Sequence, residues 1–283
     1  MAGGRTDETA ETTVKVERHG AIVRIRMNRP AKRNAQNPAL IHAMDAAFVA
    51  SGDDPEVRAI VLSGEGPSFS AGHDLEYPGY DRRAHTYHTR LDMERTLFVD
   101  TLLRIRNLPK PTIAQVHGHC VAAGLMLACM CDLIVCDESA RFSNPVLTMA
   151  LAGVQLLVEP WEIGARKAKE LLWTAEALGA DEAHRLGLVN RVVPAAQLEA
   201  EATALAERIA RLPPFAVRTV KKSINDALDF MGQARSWEHH FLLHVASKRS
   251  EEFDRWWTAM EAAGGGYKPG GLKATLAKRR ATS

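Results

Sequence analysis

The chain has 283 residues and a net charge of +2; 46% of its residues are hydrophobic and 25% are charged. This composition is typical of a folded globular protein, and the length predicts one large domain or a domain with an appendage. The 36 basic and 34 acidic residues nearly balance, which gives no reason to expect nucleic acid as a partner. Because the sequence shows neither a membrane-length apolar run nor a signal peptide, we predict a cytoplasmic protein.

Strand and helix patterns alternate through the first half of the chain. Two alternating apolar and polar runs, 13–17 and 21–27, flank His19-Gly20 and predict a β-hairpin. Asn37-Pro38 begins a predicted helix with apolar residues at helical spacing. Further along, the patterns predict strands at 57–62, 112–116 and 133–136 and helices at 93–106 and 121–130. Such alternation is typical of an α/β fold.

Almost only helical patterns follow residue 195. They predict four helices, at 198–212, 216–230, 237–246 and 251–262. We therefore divide the chain into a flexible N-terminal tail, an α/β core, a helical C-terminal region and a flexible basic tail, at residues 1–12, 13–200, 201–263 and 264–283.

The four cysteines lie within one apolar stretch, at Cys120, Cys129, Cys131 and Cys136. A zinc site prefers two cysteines with two to four residues between them, followed by a second ligand pair. Cys129 and Cys131 have only one residue between them, and no second ligand pair follows. We predict four reduced core cysteines and no bound metal.

Two segments of small residues, 69–75 and 117–124, each follow a predicted buried strand. The second also opens a predicted helix, where backbone N–H groups lack partners within the helix. One N–H from each turn could hold the oxygen of a thioester as it becomes an enolate anion. The alternative is that the small residues of both turns serve packing alone.

Several motifs, in this order, resemble the crotonase, or enoyl-CoA hydratase/isomerase, superfamily. They are Asn28-Arg29-Pro30 with Asn34-Ala35, Phe-Ser-Ala-Gly-His-Asp-Leu at 69–75, Gly118 with Ala122-Ala123-Gly124, Cys131-Asp132, and 183–193. The resemblance covers roughly residues 13–260. It implies a spiral of ββα units with a C-terminal helical region that supports a homotrimer or a dimer of trimers.

The same resemblance implies the ligand and its site. The ligand would be an acyl-CoA thioester, with coenzyme A as part of the substrate and no separate cofactor. The backbone N–H groups of His73 and Ala123 would hold the thioester oxygen. Lys32, Arg33 and Ala35 would line the CoA path with Asp74, and Ala71 would lie near the adenine end.

Two glutamates that hydratases of this family use for acid–base chemistry are replaced. The resemblance places these positions at Met126 and Val146, which would line the acyl cavity. Neither side chain can carry a proton at neutral pH, so we expect weak or absent hydration of an enoyl thioester. The double-bond isomerase reaction also loses support, since family isomerases commonly keep the second glutamate.

Other groups could substitute for these acids. Asp100 lies on a predicted helix, although it could instead pair with Arg104. Glu159 and Glu162 lie near the expected acyl chain; Glu162 could instead pair with Arg166, so we favour Glu159.

The His73 side chain could titrate near neutrality, but we prefer that it faces solvent or contacts CoA. Two hypotheses remain open: an enzyme that stabilises an enolate with an unusual acid or base, and a noncatalytic fatty acyl-CoA-binding protein. The apolar replacements favour the second, and the two turns favour the first. A scaffold without a small ligand fits poorly with two intact turns.

Overall fold

The computed structural model describes residues 12–77 and 85–262. The predicted C-terminal tail and almost all of the predicted N-terminal tail lie outside these residues. Within them, no helix is long and apolar enough to cross a membrane.

Two sheets organise the first two thirds of the chain. The larger has six strands in the order β1-β2-β3-β4-β6-β9, and the smaller has the order β5-β7-β8. Their bounds are β1 Val14–His19, β2 Ile22–Met27, β3 Ala59–Gly64, β4 Thr112–Val116, β5 His119–Val121, β6 Leu133–Asp137, β7 Arg141–Ser143, β8 Leu178–Gly179 and β9 Arg191–Val193. Only β1–β2 and β7–β8 pair antiparallel among these strands.

Helices cover both faces of the large sheet and continue to the end of the described chain. Their bounds are α1 Pro38–Asp53, α2 Tyr87–Glu94, α3 Asp100–Asn107, α4 Ala123–Cys129, α5 Glu159–Glu162, α6 Gly164–Thr174, α7 Ala180–Arg185, α8 Leu198–Ala210, α9 Pro214–Phe230, α10 Gln233–Ser247 and α11 Glu251–Ala262. A single π-helical turn, Arg95–Val99, joins α2 to α3.

Strand β3 shows why the central strands are apolar throughout. Its side chains alternate between the two faces of the sheet. Ala59 and Val61 pack with the buried face of α8, whereas Ile60 and Leu62 belong to the main core that includes α1. Because both faces are covered, every position of the strand from 59 to 63 is buried.

Local signals set the ends of α1. The side chain of Asn37 accepts a hydrogen bond from the N–H of Leu40 at 3.0 Å, and Pro38 occupies the first helical position. The buried residues Ile41, Met44 and Phe48 follow at helical spacing. The predicted helix start at Asn37-Pro38 is confirmed.

The α/β architecture with a C-terminal helical region is confirmed, but the predicted elements were incomplete. The predicted helix 93–106 is part of a longer unit that begins at Tyr87 and contains the π-helical turn. The sequence patterns missed four strands of two or three residues, β5, β7, β8 and β9, because such segments are too short to show a period. They also missed α5, α6 and α7.

Candidate functional site

The two small-residue turns are held against each other. The N–H of Ser70 donates to the carbonyl of His119, and the N–H of Val121 donates to the carbonyl of Ser70, both at 3.0 Å. A side chain at Gly124 would place its Cβ 2.6 Å from the same Ser70 carbonyl. Position 124 therefore needs glycine, and the two turns are joined as one unit.

Gly72 brings the first turn beside the start of α4. It has φ +88°, and a Cβ built there would lie 2.8 Å from the Val121 carbonyl and 3.3 Å from the Ala123 nitrogen. Ala123 is the first residue of α4, so its N–H has no acceptor within the helix. The predicted pair of residues, His73 and Ala123, thus comes from two turns in direct contact.

An apolar cavity of about 530 Å³ opens beside these turns. Near the turns it is lined by Ala71, His73, Phe98, Ala122 and Val146; its other walls include Leu151, Val245, Phe253, Trp256 and Trp257. The second group comes from α10, α11 and the segment before α5, so the C-terminal helices complete the cavity. Volume and lining suit an acyl chain.

A buried charged cluster interrupts the apolar wall. The carboxylate of Glu94, 1% exposed at the end of α2, is 3.0 Å from His244 Nε2 and also bonds to the ammonium of Lys248. Gln155 donates to it at 3.1 Å, and a guanidinium nitrogen of Arg90 lies 3.7 Å away. All five residues line the cavity.

The cluster keeps Glu94 ionised. Burial raises the pKa of this carboxyl group, but the charge of Lys248 and the contact with His244 outweigh burial and hold the pKa well below its usual value. Sequence reasoning missed these residues, because Glu94 looks like an ordinary charge on an amphipathic helix and His244 lies 150 residues away.

The His73 ring packs in the cavity wall. Its centroid is 4.0 Å from that of Phe98. Burial, with the positive charge of Lys248, lowers the pKa of His73 to about 3, so the ring is neutral near physiological pH. The ring lines the cavity and does not point to bulk solvent, and its lowered pKa contradicts titration near neutrality. The other part of the expectation, that the ring contacts CoA, stays a prediction.

The predicted CoA-path residues lie together beside the first turn. The N–H of Ala71 donates to the carbonyl of Arg33 at 2.9 Å, which joins the segment 32–35 to the cavity-lining Ala71. Asp74 accepts a 2.8 Å hydrogen bond from Arg29, and Lys32 pairs with Glu76. Ala35 is buried next to this segment.

The two positions predicted to lack their glutamates differ in exposure to the cavity. Val146 lines it, whereas Met126 is 1% exposed and is not among the lining residues. The sulfur of Met126 lies 3.2 Å from the N–H of Leu156, which fixes this thioether inside the core.

Asp100 is not among the cavity-lining residues. The prediction that Asp100 pairs with Arg104 is wrong. Arg104 instead donates two hydrogen bonds to Asp45 of α1, at 2.6 and 3.0 Å. A neighbouring helix thus provides the partner that the i,i+4 rule assigned within one helix.

Glu159 and Glu162 also lie outside the lining of this cavity. Glu159 is buried and accepts a 2.6 Å hydrogen bond from Asn144, and burial raises its pKa. Glu162 lines a separate cavity of about 600 Å³ near α9. It is the last residue of α5, whereas Arg166 belongs to α6, so the helical spacing assumed for this pair is interrupted, and no ion pair joins the two among the described residues. The predicted partner of Glu162 is therefore wrong.

Glu162 should make stability depend on pH. Burial, with the charge of Glu159, raises its pKa from 4.5 to about 7. Between these values the unfolded chain loses a proton that the folded protein keeps, so a rising pH favours unfolding. We expect the melting temperature of the wild type, relative to Glu162→Gln, to fall as pH rises from 4.5 to 7 and then to level off. If the melting temperatures of the two proteins change in parallel with pH across this range, the raised pKa of Glu162 is contradicted.

No three His, Cys, Asp or Glu side chains in the described ranges converge as a metal site. The four cysteines are free thiols, and burial raises the pKa of Cys131 and Cys136 to about 12. These thiols therefore stay protonated at neutral pH.

The chain is similar to known proteins over most of its length. Residues 17–260 match the family model described as enoyl-CoA hydratase/isomerase. EchA13 of Mycobacterium tuberculosis is 40% identical over 243 residues, which cover 80% of this chain and 76% of that protein.

Two solved structures extend the likeness to the fold. A probable enoyl-CoA hydratase from Mycobacterium smegmatis is 41% identical, with a TM-score of 0.79 over 84% of this chain and 95% of that one. An enoyl-CoA hydratase/isomerase from Xanthobacter autotrophicus Py2 is 30% identical, with a TM-score of 0.82 over 96% and 98%. The motif order, the fold and these matches agree, and the chain belongs to the enoyl-CoA hydratase/isomerase family of the crotonase superfamily.

Proposed function

We propose that the protein binds an acyl-CoA thioester and stabilises its enolate form. In this proposal the acyl chain occupies the apolar cavity, and the N–H groups of His73 and Ala123 donate to the thioester oxygen. The single observation that carries it is the contact between the two turns, where a Cβ built on Gly72 would lie 3.3 Å from the Ala123 nitrogen; the neighbouring residues His73 and Ala122 line the cavity.

The chemistry follows from where charge develops. Removal of a proton next to the thioester carbonyl moves negative charge onto the carbonyl oxygen. Two fixed N–H donors at that oxygen stabilise the charged state more than the neutral thioester, which accelerates the step. The neutral His73 ring adds no positive charge, so the backbone supplies this stabilisation.

Hydration is the reaction that this site supports least. Met126 and Val146 stand at the positions that the resemblance assigns to two proton-carrying glutamates. We expect crotonyl-CoA hydration by the wild type to lie near background and to rise at least about tenfold in Met126→Glu/Val146→Glu. Loss of enoyl-thioester absorbance measures it, with Met126→Gln/Val146→Gln as the polar control. Brisk hydration by the wild type would show that the acids are placed wrongly.

Noncatalytic binding of a fatty acyl-CoA is the second candidate, and the apolar lining around Val146 favours it. Calorimetric titration with acetyl-, butyryl- and octanoyl-CoA tests binding for both candidates. Each buried CH2 is worth about 0.8 kcal/mol, so affinity should rise with chain length until the cavity is full. Tight binding without turnover of any thioester would support the carrier, and no binding would reject both candidates.

We also propose that the chain assembles as a homotrimer or a dimer of trimers. Helix α9 has no buried residue along its 17 residues in the single chain. It exposes several large apolar side chains, which include Phe215 at 69%, Val220 at 58%, Ile224 at 57% and Phe230 at 88%. Val220 and Ile224 lie on one side of the helix, and exposed apolar side chains grouped in this way typically mark a protein interface.

Substitution on α9 tests the assembly. We expect the wild type to sediment at three or six times the chain mass of 31.0 kDa, and Ile224→Asp to shift it toward 31.0 kDa, because the new charge would be buried unpaired. Lys222→Ala, on the charged side of the same helix, is the control. A wild type that sediments as a single chain would refute the proposal.

A further inference from the structure

The acyl cavity has one carboxylate among the described residues that line it, Glu94. The proposed function so far uses only backbone N–H groups and leaves open which group moves protons. Asp100, Glu159 and Glu162 do not line the cavity, so they do not meet this need.

We propose that Glu94 is the proton-transfer group of the cavity, which takes a proton from the acyl chain of a bound thioester and returns it. The proposal rests on the proposed function, since it requires a thioester in this cavity. His244 and Lys248 act through Glu94 and are positioning residues.

The contacts of His244 place a proton next to Glu94. Its Nδ1 lies 2.7 Å from the carbonyl oxygen of Gly153, and its Nε2 lies 3.0 Å from Glu94 Oε2. The Gly153 carbonyl only accepts, so Nδ1 carries a hydrogen and donates it. The contact between Nε2 and Glu94 also needs a hydrogen, which is carried either by Nε2 or by the carboxyl group. A hydrogen therefore lies between His244 and Glu94. Burial and the charge of Lys248 lower the pKa of His244, whereas the contact with Glu94 opposes this shift.

The cluster lies beside the predicted oxyanion turn. Phe98, which packs on the His73 ring, is one helical turn after Glu94, and the charges of Glu94 and Lys248 both act on that ring. The π-helical turn Arg95–Val99 begins directly after Glu94. Such turns are frequent at functional sites, where they change the direction of neighbouring side chains.

Stability alone explains this cluster poorly. Burying charged groups is costly because they lose their hydration, and hydrophobic replacements of a buried ion pair are often neutral or stabilising. A buried carboxylate with a strongly shifted pKa that lines a cavity is instead typical of a functional site.

The step balances within the protein and the thioester. As the C–H bond next to the thioester carbonyl breaks, a Glu94 oxygen takes the proton. The electron pair forms the C=C bond of the enolate, whose charge moves to the thioester oxygen. The Glu94 carboxyl group then returns a proton to the same carbon, or to a carbon further along an unsaturated chain. Its proton exchanges with solvent before the return, so in D2O the carbon receives a deuteron. One carboxylate suffices for such a proton shift, whereas hydration also needs a group that activates water.

Hydrogen exchange in D2O tests the proposal directly. Proton NMR follows the loss of the signal from the CH2 group next to the carbonyl of butyryl-CoA, and calorimetry measures binding of the same compound. We expect Glu94→Gln, which keeps the size of the side chain, to slow exchange at least about 100-fold while the dissociation constant stays within about threefold. Asp137→Asn is the control: Asp137 is buried and accepts from Ser139, but it does not line the cavity.

The outcomes separate this proposal from the proposed function. If the wild type does not bind butyryl-CoA, the proposed function itself fails. If it binds but does not exchange, or if Glu94→Gln exchanges at the wild-type rate, the role of Glu94 is overturned and thioester binding stands. If Glu94→Gln does not fold, Glu94→Asp is the second variant. It keeps a negative charge that can pair with Lys248, but its shorter side chain moves the carboxylate away from the bound thioester. Exchange at the wild-type rate in that folded variant would also overturn the proposal.

Discussion

Gly72→Ala is expected to reduce proton exchange in a bound thioester about 100-fold, the usual effect of losing one oxyanion donor. The new methyl group would lie 2.8 Å from the Val121 carbonyl and 3.3 Å from the Ala123 nitrogen, so the two turns must move apart. Movement of this size separates the two N–H groups that the thioester oxygen needs together. NMR exchange with butyryl-CoA and calorimetric binding measure the loss.

Gly187→Ala is a matched control for this experiment. Gly187 has the same φ of +88° as Gly72, but a Cβ built there has no neighbour within 4 Å. Both variants therefore carry a similar backbone strain, about 1–3 kcal/mol, and only Gly72→Ala disturbs the turns. If the two variants bind and exchange equally, the turns do not form the oxygen-binding site.

Arg106→Ala is expected to destabilise the protein by about 2–3 kcal/mol, because it removes a buried guanidinium and its charged hydrogen bonds to a partly exposed carboxylate. Arg106 is 7% exposed and donates to Asp229 at 3.0 and 3.1 Å and to Gln233 at 2.8 Å. Its guanidinium also lies 5.3 Å from the ring centroid of Trp237. These contacts dock α9 and α10 on α3, so their loss should also disturb the cavity wall that α10 provides. Urea denaturation measures the free energy of unfolding.

Arg104→Ala isolates the effect of burial. Arg104 lies on the same helix, but its side chain is 46% exposed in its ion pair with Asp45. An exposed ion pair contributes about 0–1 kcal/mol, so this variant should be nearly as stable as the wild type. Equal losses for the two variants would mean that α3 itself, and not the docking of the C-terminal helices, sets the stability.

Local patterns predicted the parts of the site that are local. Each small-residue turn lies within a few residues of a buried strand, and glycine marks places where another backbone approaches, as Gly72 and Gly124 do. Predictions of which side chains form an ion pair failed more often. The pairs Asp100–Arg104 and Glu162–Arg166 obey the i,i+4 rule, yet Arg104 binds Asp45 of another helix.

The charged cluster shows the limit of sequence reasoning most clearly. Its members come from three separate segments: Gln155 lies 61 residues and His244 lies 150 residues after Glu94. No sequence motif connects them. Each residue alone is compatible with an exposed position on a helix or loop. Only the docking of α10 against α2 brings them together and removes water from between them.

By itself, the sequence determined the α/β alternation, the helical C-terminal region, the two close turns and the family, because periodicity, glycine and motif order are properties of neighbouring residues. The tertiary structure alone decided which titratable groups face the cavity, where the His73 ring lies and which carboxylate is held ionised. The physical reason is that burial and charge pairing depend on the distances between side chains, which the packing of distant segments sets.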